Sequence, residues 1–104
     1  MENLKFYHYE GVQYLELHDN RTLNYINKPF SYNDYADAIC AARLHMNEHF
    51  GLNVYYLGRS GRHVCVDDTP ANRDRYNSLV EHAIKWEREI IDYFNNEYEY
   101  EIED

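Results

Sequence analysis

The residues Gly58-Arg59-Ser60-Gly61-Arg62-His63 bring guanidinium, hydroxyl and imidazole groups together around two glycines. Arg59 and Arg62 offer planar N–H donors that match the oxygens of a phosphate or carboxylate. A glycine-rich turn also exposes backbone N–H groups to the same kind of anion. Ser60 adds a hydroxyl and His63 a ring nitrogen. Arg73 and Arg75 extend this basic set. They fall in the first turns of an expected helix, where the dipole disfavours a cation by roughly a few tenths of a kcal/mol at an exposed site. Two readings stand side by side. The loop is an anion or partner contact, or its arginines pair with Asp67, Asp68 and Asp74 and its glycines only serve the turn.

The loop has neither the lysine nor the strand–loop–helix order of a P-loop. A second pattern, His45-Met46-Asn47-Glu48-His49, matches H-x-x-E-H and in that respect resembles the inverzincin metallopeptidases. On a helix, His45 and His49 lie one turn apart and would share a Zn²⁺, with Glu48 as base. In a chain with six histidines such a short match arises by chance, and no second segment supplies a third ligand. The expectation is a polar turn of helix, with no metal and no cofactor. Cys65 and His63 are strand-face neighbours ~7 Å apart, too far for a thiolate–imidazole pair. Asp67 and Asp68 point to opposite sides of a strand. A non-enzyme is expected.

The chain has 104 residues, 19 acidic and 10 basic side chains and a formal net charge of −9. That charge opposes general nucleic-acid binding, which depends on neutralised phosphates, and favours attraction to basic surfaces. The chain also has 12 tyrosines, many beside acids, and tyrosine is enriched at interfaces. Glu97, Tyr98, Glu99 and Tyr100, with Glu87, Glu89, Asp92, Glu10 and Glu16, compose an acidic, aromatic surface. Such spaced carboxylates can imitate a phosphate array. Cys40 and Cys65 each sit in an apolar run and read as reduced, buried thiols. No stretch approaches the ~20 apolar residues of a membrane span, and no signal-like segment follows Met1, so the cytoplasm is the expected compartment.

The elements follow from pattern. Residues 4–9 and 12–17 are β-prone runs around Glu10-Gly11, where glycine supplies positive φ. Residues 22–26 read as a third strand. Helix 1 is predicted over 32–50: Ser31 caps it, Phe30 and Tyr35 form a staple, and Ala36, Ile39, Arg43, Met46 and Phe50 share a face. Gly51 is its left-handed C-cap. A second hairpin pairs 54–57 with 62–66 across the Gly58–Gly61 loop. Thr69 caps helix 2, Pro70 opens it, and it is predicted to run to Asn95. Residues 97–104 alternate with period two, as an edge strand or a frayed acidic end.

The expected fold is therefore a single α+β domain over 1–96, ββ(β)αββα, with an antiparallel sheet and both helices on one face, followed by the 97–104 tail. The expected partner is a protein with a basic surface, for instance a nucleic-acid enzyme. The uncovered, tyrosine-rich sheet face also allows a homodimer. In size, charge and lack of a catalytic motif the chain resembles small acidic phage proteins, including anti-CRISPR and anti-restriction proteins, although no alignable motif carries the likeness. The alternative is a binder of a small anionic ligand, such as a nucleotide, at Arg59, Ser60, Arg62 and His63.

Overall fold

The computed structural model describes the backbone of residues 3–19, 32–59 and 61–103, and their side chains except at 32–36, 38, 91 and 94–103. The elements run β1 (Phe6–Tyr9), β2 (Val12–Asp19), α1 (Tyr32–Phe50), β3 (Val54–Leu57), β4 (His63–Asp67), α2 (Pro70–Asp74) and α3 (Tyr76–Glu103). The strands form one antiparallel sheet in the order β1-β2-β4-β3, and α1 and α3 cover one face of it. The expected third strand at 22–26, the Ser31 cap and the Phe30–Tyr35 staple lie outside the described residues.

Alternation along the strands places Leu15, Val54, Val64 and Val66 against the helices, where Met46, Tyr76, Leu79 and Ala83 meet them. Full burial of each Leu or Val stabilises by about 1.5–3 kcal/mol relative to exposure. On α1, Ala42 and Met46 are buried one turn apart. Cys40 lies two residues before Ala42, about 200° away around the helix, and is exposed rather than buried as its apolar neighbours suggest.

The turns follow the glycines. Glu10 (φ 51°) and Gly11 (φ 80°) both take left-handed conformations, the signature of a type I′ turn between β1 and β2. Gly51 (φ 64°) ends α1, and its N–H donates to Asn47 O over 2.8 Å. Thr69 Oγ1 accepts from Asn72 N at 3.1 Å, so the expected cap is present with Pro70 behind it.

Two helical expectations change. The single helix from Pro70 is broken at Arg75 (φ −108°, ψ 22°) into α2 and α3. This bend accompanies a set of contacts that tie the junction to the rest of the fold: Arg75 reaches Phe50 O, and Tyr76 Oη donates to Glu16 O over 2.5 Å. At the far end, 97–103 are not an edge strand but continue α3 to Glu103. No glycine or proline follows Pro70 in the sequence, and Asn95-Asn96 weaken a helix by only about 0.7 kcal/mol each relative to alanine.

Candidate functional site

The Gly58–His63 loop is a tight turn between β3 and β4, with Gly61 N donating to Gly58 O at 3.2 Å. Gly58 takes φ 94°, and a Cβ there would stand 2.7 Å from His63 Cδ2 and 3.2 Å from Tyr7 Oη. Glycine is thus required both by conformation and by the close approach of two rings. Tyr7 reaches over from β1 and stacks on His63, with centroids 4.1 Å apart and planes at 15°. On the same side, His63 Nδ1 lies 2.8 Å from Glu16 Oε2. Arg62 Nε is 3.5 Å from Asp19 Oδ2. Arg59 is exposed at the turn, and Ser60 is outside the described residues.

Arg73 and Arg75 do not join this loop. In the β3–β4 hairpin the loop leads into β4 at His63, and α2 follows from the opposite end, beyond Asp67. The length of β4 therefore separates them, about 13 Å at 3.3 Å per residue. Arg73 makes a two-pronged pair with Asp68, Nε to Oδ1 at 2.7 Å and Nη2 to Oδ2 at 2.9 Å, and stands over the Phe6 ring. That hydrogen bond holds the Asp68 carboxyl below its usual range. Arg75 donates to Asn72 Oδ1 through Nε and Nη2 and to Phe50 O through Nη1, satisfying a carbonyl at the end of α1.

His45 and His49 face the α1–α3 groove. Their rings lie 5.6 and 5.4 Å from Trp86, and His49 stacks on His82 at 5.3 Å. His82 Nδ1 donates to Ser78 O over 2.8 Å. Among the described residues no three His, Cys, Asp or Glu side chains gather as a metal set. Cys65 is fully buried at the sheet centre. Burial first, and Glu16 second, push its thiol up to about 12, so it stays protonated and un-nucleophilic at neutral pH.

A buried polar group escaped the sequence reading. Glu87, expected on the acidic surface, is 1% exposed. Its Oε2 accepts from Tyr56 Oη at 2.5 Å, and its Oε1 lies 3.2 Å from His18 Nε2. The latter pair lies within ion-pair distance but is not aligned as a hydrogen bond, and neither atom has one among the described residues. The signal was present in helical phase, because Tyr76, Leu79, Ala83 and Glu87 fall on one stripe. His18 reaches it through the β-bulge at Leu17, which sets His18 opposite the core residue Val64.

The chain matches no family model, no curated protein and no solved structure. No described helix is long and apolar enough to cross a membrane.

Proposed function

We propose that this chain is a cytoplasmic, non-enzymatic binding protein that works by occupying a basic surface of a protein partner. A phage-encoded inhibitor of a host-defence nuclease or its effector complex, of anti-CRISPR or anti-restriction type, is the most concrete form of the idea. One observation carries it. The basic groups expected to form an anion site are mostly matched within the fold: Arg62 with Asp19, His63 with Glu16, Arg73 with Asp68, and Arg75 with Asn72 and a carbonyl. What remains to act at long range is the surplus behind the net charge of −9. A basic groove built for nucleic acid is the natural counterpart of that surplus.

The test mixes the purified chain with a purified nuclease effector complex, following co-elution and target cleavage. Co-elution and inhibition are expected at low salt. Both should disappear near 1 M salt, where the Debye length is about 3 Å. Inhibition that persists there would remove the electrostatic basis, and no binding at low salt would end the proposal for that target.

The anionic-ligand reading ranks second, and it rests on Arg59, which is exposed at the turn. It predicts a nucleotide-induced rise in melting temperature that Arg59→Ala abolishes.

A further inference from the structure

We infer that His49 and His82, facing each other across the α1–α3 groove, bind one divalent transition-metal ion of the Cu²⁺, Ni²⁺ and Zn²⁺ class. Sequence spacing singles out His45 and His49, one turn apart on α1, whereas the fold singles out His49 and His82. Their ring centroids lie 5.3 Å apart with the planes at 27°. Among the described residues, His45 has a ring contact with Trp86 and none with either of the other two histidines.

The state of each ring favours a ligand role over packing alone. His82 Nδ1 lies 2.8 Å from Ser78 O, a carbonyl that can only accept. Nδ1 therefore carries the proton, and the lone pair of the neutral ring sits on Nε2. Such a bond from the far nitrogen to a carbonyl is what orients a metal-ligating histidine and raises its basicity. His49 is exposed, and neither of its nitrogens has a hydrogen-bond partner among the described residues. One of them is open to an ion arriving from solvent. The spacing agrees as well. An ion about 2.0–2.1 Å from each nitrogen, with its ligands at the tetrahedral angle, sets two imidazole centroids roughly 5.2 Å apart.

The donor set fixes the class of ion. Imidazole nitrogen suits Cu²⁺, Ni²⁺ and Zn²⁺, whereas Mg²⁺ and Ca²⁺ take oxygen ligands. Two neutral nitrogens leave the charge of the ion uncompensated, and the net charge of −9 offsets it at long range. Water fills the remaining positions on the exposed side of the groove. Because one ligand comes from each helix, a bound ion ties α1 to α3 and stabilises the fold by mass action. The site does not depend on the acidic-binder reading, and either stands if the other fails.

The chain carries its own reporter. Trp86 is its single tryptophan, with its ring 5.4 Å from His49 and 4.9 Å from His82. The experiment titrates the full, untagged chain with Ni²⁺ and follows Trp86 emission. Quenching should saturate at one equivalent and reverse with chelator, and Mg²⁺ should have no effect. His49→Ala and His82→Ala should each weaken the response by about tenfold or more, since even an outer-shell partner is worth 10–100-fold. His45→Ala should change it by less than about twofold. Zn²⁺ should raise the melting temperature of the unaltered protein and of His45→Ala, but not of the other two variants. The unaltered protein gives a second measurement that needs no variant to fold: Zn²⁺ should shift the ¹⁵N signal of His82 Nε2 much more than that of Nδ1. Loss of quenching in His45→Ala to the same extent as in His49→Ala would assign the ion to α1 alone and overturn the cross-helix pair. Undiminished quenching in His82→Ala, or a Zn²⁺ shift confined to other histidines, would also overturn it. Neither quenching nor a rise in melting temperature up to millimolar metal would end the proposal.

Discussion

The hydroxyl of Tyr56 donates to Glu87 Oε2 over 2.5 Å, a bond that joins β3 to α3 within the core. A carboxylate 1% exposed depends on such a donor, because an unsatisfied buried charge is far more costly than an unmade neutral hydrogen bond. Tyr56→Phe should therefore cost about 1.5–3 kcal/mol in urea unfolding. In a Glu87→Met background the same change should cost much less, with a coupling on the order of 1 kcal/mol or more. An additive cycle would show that the two groups do not depend on each other.

Gly58 and Gly51 make a controlled pair. Both have positive φ, 94° and 64°, but a Cβ at Gly51 would meet nothing within 4 Å, whereas at Gly58 it would strike His63. Gly51→Ala should cost about 1–2 kcal/mol for backbone conformation alone. Gly58→Ala should cost more and should also disperse the Tyr7–His63 stack, visible as loss of ring-current shifts in their NMR signals. Equal costs at the two sites would mean that the stack yields freely to the added methyl group.

The contrast between these sites also marks what could be read from the chain. Turns and helix 1 were legible because glycines, the Thr69–Pro70 cap and the Met46 stripe act locally, within one or two turns of chain. The α+β class followed from the order of those elements. Groupings in space were not legible. Arg73 and Arg75 lie near the loop in sequence, yet β4 carries the chain away before α2 begins, and each arginine finds a nearer partner. Glu87 looked like surface charge because its neighbours are charged. Only helical phase, together with a bulge at Leu17 that no residue type announces, gathers Tyr56, His18 and Glu87. The 97–103 alternation misled for the same reason: period two indicates a strand only where a neighbouring strand exists to pair with it.

The Glu10-Gly11 turn holds a correctable strain. Glu10 takes φ 51° without the short polar side chain that lets Asn tolerate this region. Glu10→Asn should stabilise by on the order of 1 kcal/mol, raising the melting temperature by roughly 4–8 °C for a domain near this size. No gain would mean that the turn relaxes into another type in solution.

The two thiols should separate cleanly by reactivity. Cys40 is exposed on α1, while Cys65 is buried with its thiol pushed up to about 12. At mildly alkaline pH an aromatic disulfide reagent should titrate one thiol in the native protein and two in denaturant. The same shift sets a limit on stability. The folded-state value lies above the unfolded one near 8.5, so the protonated thiol contributes fully below that pH. As pH rises from about 9 toward 12 the unfolded chain ionises while the fold resists, and stability falls. Tyr55 and Tyr76 are raised as well, both chiefly by burial, and add to the alkaline loss. Cys65→Ala should flatten the first part of this decline in urea midpoints measured from pH 8 to 10. An unchanged slope would assign the alkaline loss to the tyrosines alone.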